Sequence, residues 1–468
     1  MINIKPITFA LYFGNRGFFP ETLIAGARSE MIKAVEKGGF KYIIPELNLT
    51  RYGAVETKEE GLAYAAWLKA HSGEYDGVII SLPNFGDENG AFHALRDCGT
   101  PILIQAYPDE IGKMDFAHRR DAYCGKFSIE DVFYQARLPF TVLSPHVVSP
   151  LSEAFAANLK EFAAVCRVVR GMRRFTIGAL GARTTKFKTV RYDEIALQKY
   201  DITVETFDLS ELFMRVEKYR DNDPKVTDRK AFLSDYTNCS CVPQANMNNL
   251  AKVSVVIDDF IQDYGLDCIT IRCWEEMQPK LRVAPCVLLS ELNDRGVVAS
   301  CEIDLCSAIN MYALMLASEK PATVLDWNNN YREDPDKVIL FHCGPVPQTL
   351  MTEKGSVTDH KMFAKADPGC GWGSNEGRIR AFPFTFSNCK TENGKLIIYA
   401  GEGRFTDDLI EEGFFGCAGV AEIPNLQEKL LRLGRNGFRH HTSVGEGHVA
   451  SALKEAFSTY LGYEIFEV

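Results

Sequence analysis

The sequence predicts an α/β protein: two Rossmann-like parallel-sheet α/β domains followed by a C-terminal, mostly antiparallel β domain. Three observations carry this prediction. Through the first two-thirds of the chain, short β-rich apolar runs alternate with amphipathic stretches of helical spacing. After Lys320-Pro321 the texture changes to short strands separated by Gly- and Asn-rich turns. The length, 468 residues, exceeds what a single core organises and suggests two to four domains.

In the first part, residues 7–13, 42–45, 77–82 and 101–107 are the β-rich runs, and 21–36, 58–70 and 89–97 carry helical spacing between them. Strands joined through a helix run parallel, so this order predicts a parallel sheet covered by helices. Ligands of such sheets bind beyond the carboxyl ends of the strands, which puts Arg16 and residues 84–89 within reach of one. An amphipathic stretch over 151–169 leads into the basic cluster 170–174, and the first domain is set at 1–172.

The second domain, 173–321, reads as strand 175–180, helix 193–199, strand 202–207, helix 209–219, helix 250–264, buried strand 267–271, strand 298–301 and helix 305–317. The third, 322–468, has strands at 323–327, 338–342, 381–387 and 395–400, a closing helix at 449–461 and a last strand at 463–466. Between strands, Gly401-Glu402-Gly403-Arg404 reads as a hairpin turn rather than a phosphate cradle.

Composition narrows the function classes. Hydrophobic residues at 46% and charged residues at 24% are ordinary globular usage. A net charge of −10 argues against a polyanion-binding surface, so nucleic acid is not expected as a partner. No segment approaches the roughly 18 uninterrupted apolar residues of a membrane span. The apolar run 7–13 is short and enters Gly14-Asn15-Arg16 without a cleavage pattern, so a leader is not expected. Fourteen scattered cysteines then read as reduced thiols, mostly small core residues, in a cytoplasmic protein. Cys239 and Cys241 lie too close together, with no second pair nearby, for a zinc ribbon. The first βα turn offers Gly14-Asn15-Arg16-Gly17, which is not a dinucleotide fingerprint.

Three places hold polar residues that a purely structural sequence does not need. They are Ala299-Ser300-Cys301-Glu302-Ile303-Asp304, Val324-Leu325-Asp326-Trp327-Asn328, and Phe438-Arg439-His440-His441-Thr442 with Gly445-Glu446-Gly447-His448 behind it. Carboxylates at strand ends are costly unless paired, hydrogen-bonded or bound to a cation. Two acids with imidazole form a donor set for Mn²⁺, with Mg²⁺, Co²⁺ or Zn²⁺ as alternatives. Taken singly, each has an ordinary reading as a helix cap, an ion-pair member or a solvated loop histidine.

In combination they gain meaning. Glu302, Asp326 (24 residues on), His342 (16 further) and His441, followed by Gly447-His448-Val449, resemble the L-fucose/L-arabinose isomerase superfamily. In L-fucose isomerases the metal shell is a Glu in a strand-to-helix turn, an Asp one β-unit later and a His seven residues before a Gly-His-Val. His441 precedes His448 by seven, so it is the match rather than His440. L-arabinose isomerases carry a His-His-Thr at this place and a further His after the second acid, for which His342 is the candidate. Gly14-Asn15-Arg16 resembles the segment holding a substrate-binding Arg. Residues 203–215, Pro383-Phe384-Thr385 and Ala400-Gly401-Glu402-Gly403 follow the family order.

The resemblance implies a Mn²⁺-dependent, cytoplasmic aldose–ketose isomerase working through an ene-diol on a small-molecule sugar. It implies Glu302 and Asp326 as catalytic acids and metal ligands, His441 and His342 as further ligands, and Arg16, Arg439, His440 and Trp327 as substrate contacts. Ligating imidazoles are oriented through their other nitrogen, and Glu446 or a backbone carbonyl is expected to do this for His441. Sulfoquinovose isomerases are members, and Arg16, Arg378, Arg380 and Arg439 either mark an anionic sugar or, as is commoner for such a count, are scattered surface arginines. The family forms trimers or hexamers whose first domain reaches into a neighbour's site, so Arg16 would act in trans. The chain is shorter than its relatives between Asp326 and Pro383, where the family shapes its sugar pocket. A non-catalytic sugar-binding or sensor protein with two α/β lobes is the competing reading, and it has no need of this donor set.

Overall fold

The structure, a computed structural model, describes residues 4–468. They form two compact units: Lys5–Arg170 with Glu455–Gly462, and Gly171–Lys454 with Tyr463–Val468. In the first unit, four parallel strands lie in the order Lys41–Ile43, Thr8–Phe13, Gly77–Leu82, Ile102–Ala106. The last three are buried along their whole length, which is why they read as continuous apolar runs. The helix Lys58–Ala70 starts at a capping box made by Thr57 and Glu60. The order reverses between Thr8–Phe13 and Gly77–Leu82, and the loops leaving those strands hold Arg16 and Asn84 at this switch point. A Cβ on Gly125 would sit 1.8 Å from the Phe85 carbonyl oxygen, so the helix Ala122–Gln135 presses on that second loop only through glycine.

The second unit opens with a sheet of the same order: Thr203–Phe207, Thr176–Leu180, Cys268–Ile271, Val298–Cys301, all parallel. Its edge strand Val298–Cys301 feeds the helix Leu305–Ser318, which is buried on every side but for Tyr312 and Ser318. A helix apolar all round must be covered all round. It packs on the α/β sheet and on three strands of the next sheet.

That next sheet closes on itself. Cys417–Glu422 pairs with both Lys337–His342 and Lys395–Phe405. With Ala322–Asn330, His441–Glu446 and Phe382–Glu392 these strands complete an antiparallel six-stranded ring. Ser356–Asp359, Trp372–Arg378 and Glu464–Ile465 extend it. Leu325, Leu340, Phe384, Phe386, Tyr399, Phe405 and Val444 belong to the core cluster of this ring.

The fold class is the one the sequence predicts, with local corrections. Gly401 to Arg404 is not a turn but the interior of the strand Lys395–Phe405. The hairpin turns instead at Asn393-Gly394, both at positive φ (53° and 72°), as a tight two-residue connection requires. The helices Ala122–Gln135, Pro224–Tyr236 and Cys286–Arg295 are additions. The closing helix is Ala450–Glu455, widened into a π-turn over Ala456–Tyr460. Among the described residues no helix is long and apolar enough to cross a membrane.

Candidate active site

The strand Val298–Cys301 enters its helix through a tight turn. Glu302 and Ile303 both have left-handed backbones, at φ +63° and +59°. Residues with side chains adopt that conformation at a cost of roughly 1–2 kcal/mol each, so two in succession persist only where packing fixes them. Both are buried. Asp304 closes the turn as the helix cap: it accepts from the Ser307 amide at 3.2 Å and from the Ser307 hydroxyl at 2.6 Å.

Two ring strands supply the facing groups. Asp326 and His441 stand directly opposite in the antiparallel pairing of Ala322–Asn330 with His441–Glu446, so their side chains share a face. Leu325 and Trp327, on either side of Asp326, pack with the interior of the ring, which turns Asp326 outward. Glu302 Oε2 lies 3.1 Å and Asp326 Oδ1 3.3 Å from His441 Nε2. Each of these oxygens is sealed from solvent without a well-formed hydrogen bond.

The other side of His441 explains this geometry. Its Nδ1 is 2.8 Å from Asp304 Oδ2, and the second Asp304 oxygen accepts from Arg439 Nη1 at 2.5 Å. A carboxylate only accepts, so Nδ1 carries the proton and the Nε2 lone pair of the neutral ring faces Glu302 and Asp326. Burial opposes the charge on Asp304, yet Arg439, His441 and Ser307 hold its carboxyl well below the usual range. Burial also opposes a charged His441, but hydrogen bonds to Asp304 and Glu302, with the charges of Glu302 and Asp326, push its pKa well up. Glu302 is likewise held low: burial works against the carboxylate and is outweighed by His441 and His342. The site therefore calls for positive charge at Nε2. Two stranded carboxylate oxygens and an oriented imidazole fit a divalent ion of the Mn²⁺, Mg²⁺, Co²⁺, Zn²⁺ group.

His342 is arranged differently. Its Nδ1 accepts from the Cys343 amide at 2.9 Å, and its Nε2 lies 3.3 Å from Cys301 Sγ. In the neutral ring Nε2 then bears the proton. Its nitrogens nonetheless lie close to the others: Asp326, His342 and His441 offer donor atoms within 4.8 Å of one another.

These groups open into a cavity of about 650 Å³, the size of a small-molecule site. His440 borders it, with Nε2 3.6 Å from Asp326 Oδ1. A β-bulge at Asn328 turns Asn328 and Asn329 together onto its wall. Phe187, Trp274, Phe341, Met362 and the segment Glu411-Glu412-Gly413-Phe414-Phe415 complete most of it. Sequence reasoning missed these, and it saw Asp304 only as a second acid in the turn. A Glu-x-Asp at a strand-to-helix boundary was the available signal.

Several expected contacts are corrected. Trp327 does not border the cavity: strand alternation turns its ring into the barrel, edge-on to Phe386 at 5.5 Å. Arg439 is no sugar contact, because its guanidinium is 5% exposed and engaged by Asp304. Glu446 pairs with Lys320 and Arg380 instead of orienting His441. Arg378 donates to the Phe414 carbonyl at 2.7 Å, and His448 reaches the Gly403 carbonyl at 3.3 Å. Arg16 belongs to the other unit, over the Phe85 ring at 4.5 Å and bonded to Gly86 O and Glu88. Among the described residues that line the cavity there is no Arg or Lys.

Buried Glu302 and half-buried Asp326, facing an oriented imidazole at the carboxyl end of an α/β strand, are an arrangement suited to ion-assisted proton transfer. Comparison with known proteins gives the family. Residues 10–173 match the fucose/sulfoquinovose isomerase N-terminal domain, and residues 340–468 match the L-fucose isomerase C-terminal domain. Sulfoquinovose isomerases of Priestia aryabhattai and Priestia megaterium are 23% identical over 388 residues, covering 81% of this chain and 83% of theirs. The sulfoquinovose isomerase of Alkalicoccus urumqiensis is 21% identical over 402 residues, covering 83% and 86%. The chain belongs to the fucose isomerase-like superfamily, and its activity class is aldose–ketose isomerase. The sensor reading is set aside.

Proposed function

We propose that this chain interconverts an anionic aldose and its ketose, sulfoquinovose or a close relative, with a divalent ion, Mn²⁺ first, held by Glu302, Asp326 and His441. The observation that carries the reading is the convergence of Glu302 Oε2 and Asp326 Oδ1 on His441 Nε2, at 3.1 and 3.3 Å. When bound, the ion supplies positive charge beside the two sugar oxygens and fixes their geometry.

Glu302 and Asp326 are then the acid and base on one proton. One carboxylate takes the proton from C2 while O1 is protonated, giving the ene-diol. In the second half O2 loses its proton and C1 gains one, giving the ketose with no net change in protons. One acid serves C1/O1 and the other C2/O2. His342, whose Nε2 carries the proton in the neutral ring, is better placed as a hydrogen-bond donor to substrate than as the fourth ligand. His440 contacts substrate from the rim.

The acidic cavity wall carries no Arg or Lys, so an anionic sugar needs its counter-charge from elsewhere. The first domain of a second copy, with Arg16 acting in trans in a trimer or hexamer, is our candidate source. A division of labour follows: 1–172 for substrate recognition, 173–321 carrying Glu302, 322–468 carrying Asp326 and His441. The fourteen free thiols support a reducing, cytoplasmic setting.

The test is a panel of neutral, deoxy, carboxylated and sulfonated aldoses assayed for ketose formation with Mn²⁺ and after chelation. Turnover of sulfonated sugars that is lost on chelation is expected. Conversion of neutral aldoses alone would overturn the substrate class, and full activity without any divalent ion would overturn the metal role.

A further inference from the structure

Sulfur gathers behind the cavity. Cys343 follows His342 at the end of the strand Lys337–His342 and borders the cavity. Its Sγ lies 3.8 Å from that of Cys286, the first residue of the helix Cys286–Arg295. His360, at the cap of the short helix Lys361–Ala364, completes a trio whose donor atoms all lie within 4.8 Å of one another. Cys286, Cys343 and His360 are 2%, 5% and 2% exposed. His360 Nδ1 is sealed from solvent and has no hydrogen-bond partner. A buried polar nitrogen left unpaired costs about 1–3 kcal/mol, and thiols packed merely as core have no need of an imidazole beside them.

We propose that Cys286, Cys343 and His360 form a second cation site, one that takes a soft divalent ion such as Zn²⁺. Two thiolates and an imidazole are the softer counterpart of the two carboxylates and imidazole next door, so the two sites differ in what they hold. Two sulfurs bound to a tetrahedral ion at about 2.3 Å stand about 3.8 Å apart, the separation already present. On binding, the two thiols release their protons to solvent, with no change of oxidation state. Three protein donors leave one position of a tetrahedral shell to water. The ion would tie the helix Cys286–Arg295 to the ring strand that ends in His342. His342 itself stands between the sites, with Nδ1 3.3 Å from Cys343 Sγ. The proposal does not depend on the isomerase reading.

The experiment is a titration of the metal-stripped full chain with Co²⁺, whose bonds to thiolate give near-ultraviolet charge-transfer absorption that carboxylate and imidazole do not. About two equivalents should bind, with the thiolate band accompanying one of them and bleached by Zn²⁺. Cys286→Ala should lose the band and one equivalent, and His360→Gln should weaken the band-forming equivalent at least about tenfold. Glu302→Gln should keep the band. Absence of charge transfer in the folded wild-type chain, or an undiminished band in Cys286→Ala, overturns the site. Should Cys286→Ala not fold, an unweakened band-forming equivalent in His360→Gln overturns it instead.

Discussion

Asp304→Asn tests how the imidazole of His441 is oriented for the proposed metal. The carboxylate accepts from Arg439 Nη1 (2.5 Å), His441 Nδ1 (2.8 Å), the Ser307 hydroxyl (2.6 Å) and the Ser307 amide (3.2 Å). Each of its oxygens serves donors only, whereas an amide accepts at one end and donates at the other. One side must lose. The Arg439 guanidinium, 5% exposed, loses its counter-charge whichever way the neutral amide turns, at a cost of about 3–5 kcal/mol, and if the new N–H faces Arg439 the guanidinium loses its acceptor as well. If it faces His441, the ring reverses its tautomer and Nε2–H points at Glu302 and Asp326, into the place of the proposed ion. The second outcome disturbs the fold less, and losing an orienting partner typically weakens metal affinity about 10–100-fold. The assay is Mn²⁺ binding by calorimetry on protein whose circular dichroism matches wild type, with thermal denaturation with and without metal. A folded Asp304→Asn that binds Mn²⁺ with wild-type affinity would refute the argument.

Other outcomes are expected from the same geometry. Glu302→Gln should stay folded and lose turnover by several orders of magnitude with metal present; near-normal turnover removes Glu302 from the proton transfer. His441→Gln should abolish tight Mn²⁺ binding, while His342→Gln should keep it and lose kcat, and equal losses of affinity would make His342 a ligand after all. In metal-stripped protein, burial and the nearby His342 lower the His360 pKa to about 4. The unfolded chain therefore takes up this proton first, and stability falls as pH drops from about 6.5 to about 4, by up to about 3 kcal/mol. His360→Gln should flatten that part of the pH–stability curve, and an unchanged slope would show that His360 does not drive it.

What could be read from the sequence depended on the range of the physics involved. Strands 77–82 and 101–107 and the helix 58–70 were legible because local periodicity, and for the helix a capping box, specify them. Glu302, Asp326 and His441 were legible in combination, since each is a polar residue set against apolar neighbours. Trp327 was misread although the rule was available: an outward Asp326 on a strand sends its neighbour inward. Arg439 and Asp304 are 135 residues apart, and no local pattern announces that one neutralises the other. The same holds for Cys286, Cys343 and His360, which three separate elements bring together without any Cys-x-x-Cys spacing.

The closed ring has a consequence for how such a centre can vary. A strand inside a closed ring cannot slide without breaking the ladders on both of its sides. A one-residue slip of His441–Glu446 against Ala322–Asn330 would turn the imidazole inward and present Thr442 in its place. The distance from acid to imidazole is therefore quantised by the weave of the barrel rather than tuned residue by residue. In the bordering segment, Glu411, Glu412 and Gly413 are exposed and lie outside the ring strands, so they can change with little effect on the ladders, while Phe414 and Phe415 are packed on the ring. The seat of chemistry is geared to the barrel while the choice of sugar stays loose, so new specificities can be reached by rewriting loops alone.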